Sequence, residues 1–419
     1  MIVAEGDSGC LLLLWVMTVP RVEFPQEKQG ASKGEKMINT QRLCEEFRTL
    51  AAIASPSFHE GNIAAYLRKR LEELGAEVEV DDSAAATGSE SGNIIARIPA
   101  YMHSGATLLL SAHMDTVSPA IGVTPVLKDG VFTSAGDTIL GADDKSGIAQ
   151  ILEVVQVLGE NKIPHPALEL TFTVCEEVGL LGAKHLDFSK LKARQALVLD
   201  TSGVGTVARS APCANKLKFS IKGRAAHAGL APEYGVSAVR IAARAIEHMQ
   251  LGRIDVDTTA NIGIIHGGQA TNIVPDKVEM LGEVRSFSQA ALQQQTEHMC
   301  SALHAAAQHY AHSATGNSDD VAFTPTVECE IMADYPLMQV AKDAPLLQHL
   351  TQAAQRLGQK LEVGRSGGGS DANIFNANGI VTLNLATGMN KVHSTAEYIK
   401  VADLESVAHL VLECVRTLP

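Results

Sequence analysis

The stretch Glu169–Gly179, ELTFTVCEEVG, carries the first indication of the fold of this chain. Leu170–Val174 are apolar or β-branched, which predicts a buried β-strand. Glu176 and Glu177 follow directly, and two carboxylates beside a core are costly unless a positive charge compensates them. Because neighbours on an extended chain point to opposite sides, we expect the two glutamates to do different jobs. The stretch therefore predicts a buried strand that ends at a site supplying positive charge.

The overall composition is that of an ordinary globular chain with an acidic balance. The chain has 419 residues, 46 % hydrophobic and 19 % charged, with a formal net charge of −13. This length suffices for two domains, and the negative charge argues against nucleic acid or an anionic membrane as a partner. The 7 cysteines are widely spaced and form no CxxC pair, which is typical of a reduced protein. We expect a cytoplasmic location, reduced cysteines, no nucleic acid and no membrane.

The first 36 residues differ in character from the rest of the chain. Cys10–Pro20 is apolar but too short to cross a bilayer. Glu5 and Asp7 precede it without any Lys or Arg, which contradicts a signal peptide. Met37 is a candidate second start, with Thr40 as the cap of the first helix. We expect residues 1–36 to be a disordered or non-native extension.

The rest of the chain shows two different patterns of predicted strands and helices. Strands alternate with helices over residues 37–212 and again over 334–419, which predicts an α/β domain with a largely parallel central sheet. Between them, residues 213–333 follow the order β-α-β-β-α-β, which is typical of a ferredoxin-like α+β unit. We predict that this smaller domain is inserted into the larger one.

Acidic and histidine residues follow the apolar strands of the larger domain at five places. Because the carboxyl ends of strands form the ligand crevice of an open α/β sheet, we expect these side chains to converge. A single Asp after a strand is usually a turn or a cap, but five such clusters leave little room for coincidence. The clusters are SAHMD (His113, Asp115), GADD (Asp143, Asp144), CEE (Glu176, Glu177), LVLD (Asp200) and KVHST (His393).

Imidazole and carboxylate ligands together suit zinc and related divalent cations. Two such ions would bring four positive charges, which three carboxylates and one hydroxide would balance. The sequence therefore predicts two divalent metal ions, with zinc favoured and cobalt or manganese as alternatives. These ions would be the positive partner that Glu176 and Glu177 need.

The motifs SAHMDTV, GADDKSG, CEEVGLLGA, GRAAHAG and KVHST, together with Asp200, resemble the dinuclear zinc exopeptidases. This family includes peptidase T, glutamate carboxypeptidase and the aminoacylases, and the peptidase T branch is the most similar. The resemblance covers about 37–419. It implies that the larger domain is catalytic and that the inserted domain is a lid and dimerisation domain.

The resemblance also implies a role for each residue of the clusters. His113 and Asp200 would bind one metal, Glu177 and His393 the other, and Asp143 would bridge them. Asp115 would orient the His113 imidazole, and Glu176 would be the general base. A cis peptide bond between Asp143 and Asp144 is also implied.

Further candidates lie outside the metal clusters. By resemblance, His227 would reach the active site of the other subunit of a homodimer and polarise the scissile carbonyl. Asn272 and Arg285 would bind the carboxylate or carbonyl of the substrate. The glycines of SGGGSDAN, including Gly368 and Gly369, would let the backbone approach the substrate. Peptidase T has an arginine immediately before its Gly-Gly-Thr-Asp, whereas here Gly367 stands at that place and Arg365 lies two residues earlier.

The expected activity is metal-dependent hydrolysis of a peptide bond, in the manner of a tripeptide aminopeptidase. An N-acyl amino acid amidohydrolase or a carboxypeptidase of the same fold is the alternative. A third hypothesis is a catalytically inactive dimeric binding protein. The intact set of candidate ligands and the presence of Glu176 argue against it. The expected partners are a short peptide or acyl-amino acid substrate and a second copy of the chain.

Overall fold

The structure is a computed structural model that describes residues 37–313 and 323–419. The extension predicted for residues 1–36 lies outside the described residues. No helix in the described ranges is long and apolar enough to cross a membrane.

The helices alternate with the strands as the sequence predicts. They are α1 Thr40–Ala52, α2 Gly61–Glu73, α3 Ser83–Thr87, α4 Ala142–Glu160, α5 Leu181–Lys184, α6 Ala238–His248, α7 Gln289–Ser313, α8 Pro345–Arg356, α9 Asp371–Ala377 and α10 Val401–Arg416. Short 3-10 turns span Phe188–Lys190 and Pro232–Tyr234. The cap of α1 is Asn39, whose side chain accepts a hydrogen bond from the Arg42 amide, and not Thr40 as expected.

The strands form three sheets. They are β1 Glu77–Val80, β2 Ile94–Ile98, β3 Leu108–His113, β4 Pro125–Lys128, β5 Val131–Ser134, β6 Leu168–Thr173, β7 Gln195–Thr201, β8 Thr206–Ala211, β9 Cys213–Lys222, β10 Gly252–Arg253, β11 Thr258–Gly267, β12 Lys277–Ser286, β13 Thr326–Tyr335, β14 Met338–Gln339, β15 Glu362–Arg365, β16 Val381–Ala386, β17 Met389–Asn390 and β18 Tyr398–Lys400.

The largest sheet has nine strands and forms the centre of the larger domain. Its order is β1-β2-β6-β3-β7-β16-β8-β14, with β15 paired to β8. The four central strands β6, β3, β7 and β16 are parallel, while β1, β2, β8 and β14 join antiparallel at the edges. The predicted α/β class with a largely parallel sheet is confirmed, and its parallel part is the centre where the ligand crevice forms.

Strands β3 and β6 are buried along their whole length, as expected for central strands covered on both faces. Helix α4 contacts β3 and β7, and α1 and α10 pack against α4. A Cβ at Gly147 would lie 2.4 Å from the carbonyl oxygen of Leu199, so glycine is needed where α4 approaches β7. This contact holds the start of α4 against the ends of the central strands.

The second sheet is antiparallel, with the order β10-β11-β12-β9-β13. Counted along the chain, its four long strands lie in the order 4-1-3-2, the arrangement of a ferredoxin-like unit. Helices α6 and α7 cover one face, and buried side chains such as Leu217, Phe219 and Met280 form a core of their own. The inserted α+β unit is therefore present, while the boundaries 213 and 333 stay a prediction.

The cysteines depart from the expectation of a fully reduced set. Cys300 on α7 and Cys329 on β13 form a disulfide, because the packing of α7 on the sheet brings their Cα atoms to 6.0 Å. The other cysteines of the described ranges, Cys44, Cys175, Cys213 and Cys414, are free and buried. The prediction of reduced cysteines is therefore wrong for Cys300 and Cys329, because cysteines that are distant in sequence meet across the helix–sheet interface.

Candidate metal and active site

Five predicted ligands meet at the carboxyl ends of the central strands, and we call them the metal cluster: His113, Asp143, Glu177, Asp200 and His393. His113 ends β3, Asp200 lies at the end of β7, and Glu177 follows β6. Asp143 lies in the irregular first turn of α4, and His393 lies between β17 and β18. His113, Glu177 and Asp200 therefore meet because parallel strands end at one edge. Asp143 and His393 do not directly follow central strands as expected, and the first turn of α4 and the loop between β17 and β18 bring them to the same place.

The Asp143 carboxylate lies between the two histidines of the metal cluster. Its Oδ1 is 3.1 Å from Nε2 of His113, and its Oδ2 is 3.2 Å from Nε2 of His393. Nε2 of His113 also lies 3.8 Å from Asp200 Oδ1, and Nε2 of His393 lies 3.0 Å from Glu177 Oε2. Both imidazoles therefore face the Asp143 carboxylate, and each also faces a second carboxylate, that of Asp200 for His113 and that of Glu177 for His393. The peptide bond between Asp143 and Asp144 is cis, as the resemblance implies.

The donor set fits a cation on two observations. Nδ1 of His113 lies 2.9 Å from the carbonyl oxygen of Asp115, which places a proton on Nδ1 of the neutral ring and directs the Nε2 lone pair at carboxylate oxygens. The buried Oε1 of Glu177 has no hydrogen-bond partner among the described residues. A neutral His113 ring would point the Nε2 lone pair at carboxylate oxygens. This contact and the orphaned Glu177 oxygen therefore both call for a positive charge, either a proton on the imidazole or a bound cation.

The second acidic residue of GADD also lies within reach of a cation. Ligand atoms of His113, Asp144 and Asp200 lie close enough to hold an ion, as do those of His113, Asp143 and Glu177. However, the Asp144 carboxylate already accepts hydrogen bonds from the amides of Gly147 and His113. Its oxygens are therefore occupied in holding the start of α4 to the end of β3.

The charges of the chain itself shift the pKa values in the metal cluster in opposite directions. Burial raises the pKa of Asp200 well above its usual range, and neighbouring carboxylates add to this effect. Burial alone would also raise the pKa of Asp143, but hydrogen bonds from His113 and His393 lower it. Hydrogen bonds to Asp143 and Glu177 raise the pKa of His393 to about 10. The cluster therefore attracts positive charge, either protons or metal ions.

Glu176 lies beside the metal cluster with a free carboxylate. Burial and then the negative charge of Asp200 raise the pKa of Glu176 well above its usual range. Among the hydrogen bonds of the described residues, none involves its carboxylate oxygens. Glu176 lines a cavity of about 190 Å³ together with Asp143, Glu177, Asp200 and His393.

Asp115 holds the backbone of the two adjacent glutamates. Its Oδ1 accepts a hydrogen bond from the Glu176 amide at 2.8 Å, and its Oδ2 accepts one from the Glu177 amide at 3.2 Å. Its carboxylate is 3.5 Å from Nδ1 of His113, farther than its own carbonyl oxygen. The expected contact with His113 is therefore made mainly by the main chain of Asp115, while its carboxylate positions Glu176 and Glu177.

Glu397 is a site residue that the sequence reasoning missed. Its buried carboxylate accepts hydrogen bonds from the amides of Leu140, Gly141 and Asp143 at 2.7–3.0 Å. It therefore holds the turn that presents Asp143. No motif surrounds it, and the only signal was an acidic residue four positions after His393.

The glycine loop, Ser366–Asn373, borders the same cavity. Gly369 lines this cavity, and a Cβ there would lie 2.6 Å from the Tyr335 ring. A side chain at position 369 would therefore clash with Tyr335, which explains the glycine. A Cβ at Gly368 would lie 3.8 Å from Arg285 Nη1, so the structure brings Arg285 to the loop. Nε of Arg285 is buried without a hydrogen-bond partner among the described residues.

Arg365, which lies near the place of the peptidase T arginine, turns to other partners. It forms an ion pair with Asp257 at 2.6 Å and stacks on the ring of Phe287 at 3.4 Å. It lines a larger groove of about 870 Å³ between α8 and β15, which contains no histidine or carboxylate. This groove lacks metal-ligating groups, so the smaller cavity is the candidate active site.

His227 and Asn272 lie together on the inserted domain. His227 forms an isolated bridge with Ile273, and the amide of Ala228 donates to the carbonyl oxygen of Asn272. Both residues are exposed. Neither side chain hydrogen-bonds to the metal cluster within the described part of the chain. Neither residue is among the described residues that line the cavity beside the metal cluster.

The fold and the cluster of His, Asp and Glu at the strand ends are those of a metal-dependent hydrolase. A model of peptidase family M20/M25/M40 matches residues 109–417. The chain belongs to this family, and it is a metallopeptidase. The predicted resemblance to the dinuclear exopeptidases is thereby confirmed at the level of the family.

Individual relatives support a peptidase T-like member. The chain is 40 % identical to the uncharacterised protein YqjE of Bacillus subtilis, over 90 % of this chain and 98 % of that protein. It is similar to a crystal structure of aminopeptidase PepT from Bacillus cereus, with 41 % identity, a TM-score of 0.82 and coverage of 91 % and 99 %. A tripeptidase from Staphylococcus aureus gives 37 % identity, a TM-score of 0.85 and the same coverage.

Metal uptake is expected to release protons and to strengthen as pH rises. Because the pKa of His393 is about 10 without metal, this imidazole is charged at neutral pH and must lose its proton to become a ligand. Calorimetric titration of the metal-free protein with zinc, in buffers of different ionisation enthalpy, measures the released protons. His393→Asn should reduce the release by about one proton. A metal affinity that stays constant between about pH 6 and 8 would contradict this assignment.

Proposed function

We propose that this protein is a two-metal exopeptidase that removes a terminal residue from short peptides. The observation that carries the proposal is the Asp143 carboxylate, which faces His113 with one oxygen and His393 with the other. The relatives described as an aminopeptidase and a tripeptidase support the same substrate class.

The ligand assignment follows the distances within the metal cluster. His113 and Asp200 would hold one divalent ion, Glu177 and His393 the other, and Asp143 would bridge them. Zinc suits this mixture of imidazole and carboxylate, with cobalt or manganese as alternatives. When bound, such ions supply Lewis acidity and lower the pKa of a water at the site.

Glu176 is the proposed general base. Its carboxylate opens into the cavity, and its main chain is fixed by the Asp115 carboxylate. The raised pKa brings it closer to neutrality, so it can take a proton from the attacking water and deliver it to the leaving amine. Glu177, one residue further, faces His393 instead.

His227 is the proposed donor to the scissile carbonyl in the other subunit. Its Nδ1 accepts hydrogen bonds from the amides of Gly229 and Leu230, which places the proton of the neutral ring on Nε2. An exposed Nε2–H is a hydrogen-bond donor available to an oxygen that gains negative charge. His227 does not line the cavity of its own chain among the described residues, which supports action across a dimer.

The inserted domain offers a surface for this homodimer. Among the described residues, strand β11 pairs on its outer side only with Gly252 and Arg253 of β10. The remaining part of this edge is open, and Ile264 and Ile265 are 45 % and 50 % exposed. An open apolar edge of this kind favours pairing with a second strand, which supports a dimer through the inserted domain.

The substrate would be held by both domains. Arg285 at the glycine loop, with Gly368 and Gly369, would bind a carboxylate or carbonyl beside the metal cluster. Asn272 would bind the substrate together with His227, both from the partner subunit.

We propose the cytoplasm as the location of this protein.

A substrate panel tests the activity itself. Tripeptides, dipeptides and N-acyl amino acids are compared with zinc, cobalt or manganese by product analysis. We expect tripeptides with a free N-terminus to have a kcat/KM at least about tenfold above N-acylated substrates. Preference for N-acyl amino acids indicates an amidohydrolase, C-terminal release a carboxypeptidase, and binding without turnover an inactive binding protein.

Glu176→Gln is expected to keep the metal and lose turnover. The residue lies outside the proposed ligand set, so metal content by mass spectrometry should be unchanged, while kcat should fall by about 10²–10⁴-fold. Glu177→Gln is the matched control, since it removes a ligand and should lower metal content. A near-wild-type rate in Glu176→Gln would show that another group is the base.

Mixed dimers test the role of His227 in the other subunit. His227→Ala and Glu176→Gln are each expected to be inactive alone. After subunit exchange, half the dimers are mixed and hold one site with Glu176 and a partner's His227, so about a quarter of wild-type activity should return. No recovery, with exchange verified by native mass spectrometry, would place His227 outside the reaction.

A further inference from the structure

Glu60 is a buried carboxylate that the proposed reaction does not use. It is 0 % exposed and forms the N-cap residue of α2. No ion pair in the described part of the chain includes it. A buried carboxylate without a cation must be stabilised by hydrogen bonds. The donors of these bonds show which segments of the chain Glu60 connects.

The donors come from three separate segments. Oε1 accepts from the amides of Phe58 and Cys175, each at 3.0 Å. The Cys175 thiol lies 3.3 Å from the same oxygen, and the Ser89 hydroxyl donates to Oε2. Glu60 therefore ties the loop after α1 to the residue immediately before Glu176.

Cys175 is the residue at which the chain leaves β6. Its φ is 52°, in the left-handed region that few non-glycine residues adopt. The following amides, those of Glu176 and Glu177, are held by the Asp115 carboxylate. Three successive amides, Cys175–Glu177, are thus bound by two carboxylates, an arrangement in which backbone N–H groups enclose negative charge.

We propose that Glu60 is a positioning residue for the proposed peptidase reaction. It holds the left-handed turn at Cys175, from which Glu176 points to the cavity and Glu177 to His393. It hydrogen-bonds to no residue of the metal cluster and acts through the amide and thiol of Cys175. This inference rests on the proposed function, but it concerns backbone geometry that is measurable without turnover.

Two conservative substitutions separate geometry from charge. Glu60→Gln keeps an oxygen for the amides of Phe58 and Cys175 and offers an NH₂ group to Ser89. Glu60→Asp keeps the charge but withdraws the carboxylate by one methylene. If position matters, the Gln variant retains activity and the Asp variant loses it. If only a buried charge matters, the order is reversed.

Glu169 provides the matched control at the opposite end of β6. Its buried carboxylate also has amide donors, from Lys192 and Ala193 at 2.9–3.0 Å, but it lies away from the metal cluster. Glu169→Asp should therefore lower the thermal midpoint comparably while leaving kcat within about twofold of wild type. A general loss of stability is thereby distinguished from loss of position.

The experiment combines kinetics, zinc titration and amide hydrogen exchange in the full-length protein. For Glu60→Asp we expect kcat at saturating zinc to fall about 10–100-fold with little change in KM, zinc affinity to weaken, and exchange at Cys175–Glu177 to rise. Glu60→Gln should stay within about threefold of wild type in each measurement. Unchanged exchange and zinc affinity in Glu60→Asp, or equal kinetic loss in Glu169→Asp, would overturn the proposal.

The exchange and zinc readouts also separate this proposal from the activity on which it rests. If the wild-type protein cleaves no peptide, the proposed function fails, while the two other readouts still decide the role of Glu60. If the wild type is active and both Glu60 variants match it, the inference about Glu60 fails and the peptidase assignment stands.

Discussion

The mutual repulsion of carboxylates at the ends of the central strands is the constraint on which the site depends. Asp143, Glu177 and Asp200 lie around two imidazoles in a cavity of about 190 Å³. Protons on His113 and His393 can balance part of this charge, and divalent ions balance it more completely. The chain belongs to a metallopeptidase family, and divalent cations in this cluster would supply the positive charge that its buried carboxylates lack.

Other buried carboxylates hold the site together through the main chain. Asp115 binds the amides of Glu176 and Glu177, and Glu397 binds the turn that presents Asp143. A carboxylate that accepts a hydrogen bond from a main-chain amide fixes the backbone of that residue and so orients its side chain. The side chain itself is not contacted and stays available for chemistry. The candidate active site thus has one set of acidic residues around the proposed cation position and a second set whose carboxylates accept hydrogen bonds from backbone N–H groups.

His113, Glu177 and Asp200 were predictable because each lies at the end of a buried central strand or just after it, whereas Asp143 and His393 lie at the start of α4 and between β17 and β18. The glutamates after β6 needed positive charge, and the order of elements placed them at one edge with His113 and Asp200. Glu397 and Glu60 were not predictable, because a carboxylate that accepts amide hydrogen bonds has no characteristic spacing in sequence. The Cys300–Cys329 pair was missed for a related reason, since it depends on how α7 lies on its sheet.

The sequence by itself determined the α/β class, the inserted unit and which histidine and carboxylate residues are the candidate metal ligands. Those features depend on local periodicity and on chemically distinctive residue types. Only the tertiary structure decided that Asp143 lies between two histidines, and that Tyr335 fills the space beside Gly369. These are distances between segments remote in sequence, and packing sets them rather than any local pattern.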